Sequence, residues 1–385
     1  MRIDFMNARA LRATITLLGI SVLSLTGLDV PGFYAAGSRY GFGTSACWAA
    51  EGATAKPAEL ASRSDALALS QLAEIKTLRV ENAIAAEGTT PRLILRGRDA
   101  RAQLLVTGSG AKQVEQDVTR SVRYAVEPGG LIDIAADGLV KPLAGGVATV
   151  TISLPSGAAT KLEIEAAGFG EHPPVNFPNQ IIPIFTKYGC NSGGCHGKSA
   201  CQNGFKLSLL GFEPTEDFEH LVIESRGRRL FPASPERSLL LTKAINETPH
   251  GGGQRIEKDS HEYRLLVRWI AQGMPYGSDK DPVLTSIDVT PAERLLAKQA
   301  SQQLTVVATY SDGSTEDITR TAQYESNNTD MANVSPSGLV TASSGAGDVA
   351  IMARYQGRVS VFRASLPQGA QMAEWPTPFN FIDEP

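Results

Sequence analysis

The residues best suited to chemistry lie in one short stretch, Cys190-Asn-Ser-Gly-Gly-Cys195-His196. A c-type haem needs two thiols that form thioether bonds to its vinyl groups, and an imidazole directly after the second thiol that binds the iron. Cys190, Cys195 and His196 provide these groups in the required order, although four residues separate the thiols where the usual motif has two. Gly193 and Gly194 make the longer loop sterically feasible. The stretch therefore predicts one covalently bound haem c, with His196 on the iron.

Three other interpretations fit the same residues. A Cys190–Cys195 disulfide would close a tight loop in an exported protein. Cys190, Cys195, His196 and Cys201 would together provide four ligands for zinc. However, adjacent Cys and His ligands fit the spacing of structural zinc sites poorly. The thiols would also suit simple packing in a core. These alternatives stay open at the level of the sequence.

A second iron ligand is expected on the loop before the last helix of the same region. Residues 260–272 carry apolar side chains at helical spacing, with Asp259 as the expected N-cap and Gly273 as the stop. His250 precedes this helix in a glycine-rich loop, which would let the backbone approach a porphyrin closely. Met274 follows the helix and is the alternative ligand. We favour His250, because neutral imidazole is a good iron ligand and its place in the order is right.

The first residues are typical of an export signal. Three arginines precede an uncharged, mostly apolar run over residues 13–28, which is short for a membrane-spanning helix. We therefore expect residues 1–37 to be a signal peptide or an N-terminal membrane anchor, with a linker at 38–73. The rest of the chain would be exported to the periplasm or the cell surface, where covalent haem attachment and disulfides are permitted.

A repeat brackets the region that carries the cysteines. Residues 103–140 and 303–340 align without a gap and share ten identities in 38 positions, where ordinary composition would give roughly two or three. This excess indicates a duplication. We expect the shared residues to be core and turn positions without chemistry of their own.

Each copy of the repeat is predicted to be a β-sandwich. Residues 304–310 are rich in β-branched side chains and are followed by the turn signal Ser311-Asp-Gly-Ser314. Further strands are expected at 147–153, 162–165, 348–354 and 359–362. The endings Gly138-Leu-Val140 and Gly338-Leu-Val340, each followed by another glycine, resemble those of bacterial Ig-like domains of group 2. That resemblance implies adhesion or spacing units.

Composition excludes several classes of function. A net charge of −4 argues against a nucleic-acid binder, which usually carries a basic stripe. The sequence contains no nucleophile elbow, P-loop or paired-carboxylate signature, so we expect an electron carrier rather than an enzyme.

The cysteine region as a whole resembles the planctomycete-type surface cytochromes. The stretches that carry the resemblance are residues 181–214, Ser234–Ala244, Pro249–Gly253 and Glu262–Pro275. It implies a cytochrome c-like module between Ig-like modules, with haem attached at Cys190, Cys195 and His196. Cys201 departs from the pattern, because a small residue without a thiol is usual there. The final residues resemble the linker to further domains of those longer proteins, which implies that this chain is truncated before them.

Together these observations predict a multidomain fold in which two all-β Ig-like sandwiches flank a mainly α, cytochrome c-like domain. The predicted divisions are an Ig-like domain at 74–167, the haem domain at 175–280, a second Ig-like domain at 283–367 and a tail at 368–385. The expected partners are a redox protein and a cell-surface or carbohydrate ligand of the Ig-like domains.

Overall fold

The computed structural model describes residues 74–85, 88–110, 115–197 and 204–368 of the chain. The predicted signal peptide or anchor (1–37), the linker (38–73) and the tail after residue 368 lie outside the described residues, as do Cys47 and Cys201. The described residues belong to one compact unit. In these ranges no helix is long and apolar enough to cross a lipid bilayer.

The first sandwich consists of ten strands in three small sheets. Buried and more exposed side chains alternate along its longer strands, so one face of each strand packs into the core. The sheet orders are β1-β4-β5, β2-β10-β9-β6 and β3-β8-β7. The strand bounds are β1 Ile75–Val80, β2 Arg92–Arg96, β3 Ala102–Gln103, β4 Val106–Gly110, β5 Glu115–Asp117, β6 Arg123–Glu127, β7 Ile132–Ile134, β8 Leu139–Pro142, β9 Gly146–Ser153 and β10 Ala159–Ala167.

The second sandwich repeats this topology strand for strand, with the orders β11-β14-β15, β12-β20-β19-β16 and β13-β18-β17. Even the parallel pairing of β2 with β10 recurs between β12 and β20. Its strands are β11 Leu284–Thr290, β12 Glu293–Leu295, β13 Ser301–Gln303, β14 Thr305–Tyr310, β15 Thr315–Asp317, β16 Gln323–Ser326, β17 Ala332–Val334, β18 Leu339–Ala342, β19 Gly347–Tyr355 and β20 Arg358–Leu366. The topology therefore agrees with a duplication.

Shared residues build the same core details in both sandwiches. Leu104, Val106 and Val140 are fully buried in the first sandwich, and so are Leu304, Val306 and Val340 in the second. The buried Thr119 hydroxyl accepts a hydrogen bond from Val106 N (2.9 Å), as Thr319 does from Val306 N (2.8 Å). The predicted core role is therefore confirmed for these positions.

The central module, residues 175–280, is less helical than the sequence predicts. Its helices are α1 Ile182–Lys187, α2 Pro214–Phe218, α3 Leu239–Ala244 and α4 His261–Ala271, with π-helical turns at Phe177–Ile181 and Glu219–Ile223 and 3-10 turns at Leu209–Gly211, Glu224–Gly227 and Pro235–Arg237. Prolines begin several of these short elements, and a proline ring cannot continue a preceding helix. The expected mainly α domain is thus a set of short helices joined by irregular segments.

Helix α4 anchors the central module. It buries Tyr263, Leu266, Trp269 and Ile270 at the predicted helical spacing. Its cap is Ser260, whose hydroxyl accepts a hydrogen bond from Tyr263 N (3.2 Å). The predicted cap at Asp259 is therefore wrong by one residue: Asp259 has a φ of 60° and lies outside the helix. Gly273, at a φ of 81°, follows the end of the helix as expected.

Candidate functional site

The cysteine segment folds into a tight loop directly after α1. Cys190 N donates to Phe185 O at 2.8 Å, which ties the first cysteine to the end of the helix. His196 N then donates back to Cys190 O at 2.9 Å. Cys195 N bonds Ser192 O at 2.9 Å. Backbone hydrogen bonds therefore fix both cysteines and the histidine on one small scaffold.

Two glycines of this loop are required by its geometry, and they differ from the two that the sequence suggested. Gly189 has a φ of 71°, a backbone conformation that favours glycine. At Gly197 a Cβ atom would lie 2.1 Å from Asn191 O, so no larger residue fits. Gly193 and Gly194 are exposed at the tip of the loop.

The two thiols are free in the structure. Cys190 is half-buried, and loss of solvent around its sulfur raises the pKa of the thiol to about 11. Arg255 lies beside Cys195, with Nη2 at 3.5 Å from Sγ. The disulfide interpretation would require oxidation of this pair.

His196 and His250 face each other as nearly parallel rings. Their centroids are 6.3 Å apart and their planes differ by 7°. His196 Nδ1 lies 3.2 Å from Phe205 O, and His250 Nδ1 lies 2.9 Å from Gly253 O. Each Nδ1–H can thus donate to a backbone carbonyl, which leaves the two Nε2 atoms as acceptors.

The structure brings together the two histidines that the sequence predicts as iron ligands. Metal-binding histidines usually donate their second nitrogen to a carbonyl or carboxylate, as His196 and His250 do. The Nδ1 contacts of the two rings are therefore those expected of histidines that would hold a metal.

A stack of side chains holds His196 in place. The Phe205 ring packs against the imidazole, with the two ring centroids 4.7 Å apart. The Arg229 guanidinium lies over the Phe205 ring, 4.6 Å from its centroid. Burial lowers the pKa of His196, which favours the neutral imidazole. Arg229 also donates to the carbonyls of His220 (2.7 Å) and Gly204 (2.6 Å). It is thus a buried packing residue.

Other candidate residues lie apart from this pair. Met274, the alternative ligand, packs against the apolar core of the central module. Trp269 fills that core and donates from Nε1 to Pro275 O at 2.9 Å. His220 lies near Glu224 (3.6 Å), and His261 begins α4. Both histidines are half-buried.

The residues that would hold a haem are the two thiols and the two histidines, because a haem needs fewer protein ligands than a metal ion held by side chains alone. In the part of the chain that the structure describes, no group of three or more His, Cys, Asp or Glu side chains is arranged to hold a metal. A porphyrin brings four nitrogen ligands of its own, so two imidazoles suffice. Arg255 adds a cation beside Cys195, and its buried Nε has no hydrogen-bond partner.

The sequence reasoning did not identify Arg255 or Phe205 as parts of this site. The available signal was the position of Arg255 in the same loop as His250, five residues further on. No periodicity marks Phe205 or Arg229, because their contacts with His196 arise from the irregular path of the chain.

Comparison with known proteins concerns the sandwiches. Residues 283–359 match the family described as bacterial Ig-like domain (group 2). Ice-binding protein 1 of Shewanella frigidimarina (strain NCIMB 400) is 43% identical over 58 residues, which cover 15% of this chain and 6% of that protein. The chain thus spans only a small part of the length of this relative.

Similar solved structures are also built of repeated modules. Domains 5–6 of the S-layer protein SbsC are matched over 76% of this chain and all of that one, at 11% identity and a TM-score of 0.29. The tandem Ig repeats of Dlar are matched over 76% of this chain and 98% of that one, at 8% identity and a TM-score of 0.17. Structural likeness of this degree does not indicate a shared function. From the family match and the repeated topology, the chain contains bacterial Ig-like modules, and the second sandwich is one of group 2.

Proposed function

We propose that this protein is an exported electron carrier, in which a central module with one covalent haem c is held between Ig-like modules. The observation that carries the proposal is the pair of parallel imidazoles of His196 and His250, 6.3 Å apart, next to two free thiols. Neither thiols nor imidazoles alone would suggest this cofactor. Their combination in one loop system does.

Each residue of the site has a distinct part in the proposal. Cys190 and Cys195 would form the two thioether bonds, and the hydrogen-bonded loop holds the two residues in place. His196 and His250 would hold the iron through Nε2, while Phe205 O and Gly253 O fix the ring orientations. Arg255 would supply a positive charge for a carboxylate of the cofactor.

Two histidines that would hold the haem favour electron transfer over catalysis. When bound, the haem supplies a one-electron redox couple. With both His196 and His250 holding the group, the chain's own residues would bind and orient it without reacting with a substrate. A redox partner protein is required to deliver or accept the electron.

The Ig-like modules support a role outside the cytoplasm. Modules of this group act as spacing or docking units in the family that the sequence resembles. We propose that they position the haem module in the periplasm or at the cell surface, and that an exposed face binds a surface or carbohydrate ligand.

The second candidate is a redox-silent surface scaffold in which Cys190 and Cys195 form a disulfide. The comparisons favour it over the electron carrier, because they concern the Ig-like modules and none of them concerns the central module. It assigns no role to the parallel histidines.

Export of the full chain in a host with haem-maturation enzymes separates the two candidates. The electron carrier predicts an intact mass with one haem added, which is lost when Cys190 and Cys195 are both changed to alanine. Cys47→Ala is the control and should keep the haem. A product without haem, in which peptide mapping finds a Cys190–Cys195 disulfide, would favour the scaffold.

A further inference from the structure

Three of the residue pairs shared by the sandwiches lie where the two sandwiches meet. They are Gln103 with Gln303, Asp117 with Asp317, and Arg120 with Arg320. The sequence suggested core and turn roles for the shared residues. These three pairs instead bond across the contact between the sandwiches.

The aspartates bond to both sandwiches in the same way. Within the first sandwich, Asp117 Oδ1 accepts from Thr119 N at 2.9 Å, and its Oδ2 accepts from Gln303 N of the second sandwich at 2.5 Å. Asp317 Oδ1 likewise accepts from Thr319 N at 2.9 Å, and its Oδ2 accepts from Gln103 N at 2.9 Å. Each carboxylate thus has one oxygen for its own sandwich and one for the other.

The glutamines and arginines repeat this reciprocity. The fully buried Gln103 gives its Nε2 to carbonyls of its own sandwich, and its Oε1 accepts from Arg320 Nη2 at 2.5 Å. Gln303 is bonded in the same manner, with Oε1 accepting from Arg120 Nη2 at 2.8 Å. Contacts in which residue i meets j and j meets i are those of a two-fold symmetric dimer.

We propose that Gln, Asp and Arg at these positions form a homotypic docking surface, whose partner is a second Ig-like module with the same three residues. The surface is self-complementary because it offers both members of each bond. The Asp carboxylate needs a backbone N–H, and the Gln carbonyl needs a guanidinium. Buried polar groups left without these partners would be costly, so a module without the matching residues would dock poorly.

Some ion pairs between the two sandwiches have no symmetric equivalent. They explain why the first sandwich binds the second sandwich of the same chain. Arg294 of the second sandwich pairs with Glu81 and Glu115 of the first, and the position equivalent to Glu115 is Thr315. Arg320 also pairs with Asp137 at 2.7 Å, where the other copy has Ser337. These ion pairs favour first-with-second pairing over pairing of like copies.

The test breaks the contact between the two sandwiches and measures whether the first sandwich then binds the first sandwich of another chain. In the full-length chain, Arg294→Glu with Arg320→Glu places like charges against Glu81, Glu115 and Asp137 and opens the internal contact. The first sandwich keeps Gln103, Asp117 and Arg120. We expect a larger radius of gyration at low concentration, and a mass that rises toward twofold as concentration increases. A third change, Arg120→Glu, should return the opened chain to the monomer.

Controls separate this outcome from a loss of folding or a change of charge. Arg123→Glu with Arg358→Glu makes the same change of charge at exposed positions and should remain compact and monomeric. Far-UV circular dichroism reports whether the sandwiches stay folded. A folded double variant that opens but stays monomeric would overturn the proposal, and so would one that never opens. A dimer that persists after Arg120→Glu would also overturn it, because the pairing would then use another surface.

Discussion

The sandwiches and the central module keep their structures by different means. In the sandwiches, long ladders such as that between β19 and β20 pair strands along their full length, and the same topology persists in two copies whose sequences have diverged. In the central module the regular elements are short, and the core depends on a few large side chains such as Trp269 and Phe177. A framework that tolerates sequence change therefore flanks a module whose loops depend on individual residues.

The largest predicted effect is a loss of stability in only one of the two regions, caused by removal of a large core side chain. Trp269→Ala leaves a cavity in the central module and should cost about 3–5 kcal/mol of its stability. Limited proteolysis should then cleave within residues 175–280 while the β-sheet signal in circular dichroism remains. Phe362→Ala, in the second sandwich, is the matched variant and should reverse the pattern. Equal protection of both regions in both variants would mean that they unfold as one unit.

A smaller loss of stability is predicted when equivalent threonines of the two repeat copies are changed. Thr119→Val and Thr319→Val each remove the hydroxyl that accepts from a buried strand N–H, at a cost of about 1–3 kcal/mol. Because the two sites have the same bonds, we expect similar losses in chemical denaturation. A large loss in one copy alone would indicate that the duplicated sites no longer have the same role.

A pH dependence that arises from a buried histidine is predicted in the central module. Burial lowers the pKa of His261 to about 4, whereas in the unfolded chain it is about 6.5. Between these values the unfolded chain binds the proton and the folded chain does not, so stability should fall as the pH drops from 6.5 toward 4. His261→Gln should reduce this slope. Residues 74–167 and 283–367 contain no histidine, so no histidine of the sandwiches adds to this slope.

The sequence predicted the sandwiches well because their signals are local. The strand expected at 304–310 is β14, Thr305–Tyr310, and the one expected at 147–153 is β9, Gly146–Ser153. Alternating β-branched residues and turn signals need no knowledge of distant contacts. The helix over 260–272 was found for the same reason, with an error of one residue in its cap.

The contacts that join distant segments could not be predicted in this way. The shared residues Gln103 and Asp317 carry no mark in the sequence that they bond to each other. Arg255 reaches Cys195 only through the fold of its loop. His250 was selected as a ligand from its place before a helix, and it lies opposite His196, but its binding to iron stays a prediction.

The most direct test of the central claim is the absorption spectrum of the exported, haem-loaded chain with one candidate ligand changed at a time. The proposed pair predicts a six-coordinate low-spin spectrum that becomes high-spin in His250→Ala, while Met274→Leu and the control His220→Ala leave it unchanged. Loss of the low-spin spectrum in Met274→Leu, with none in His250→Ala, would contradict the assignment of His196 and His250 as the two ligands.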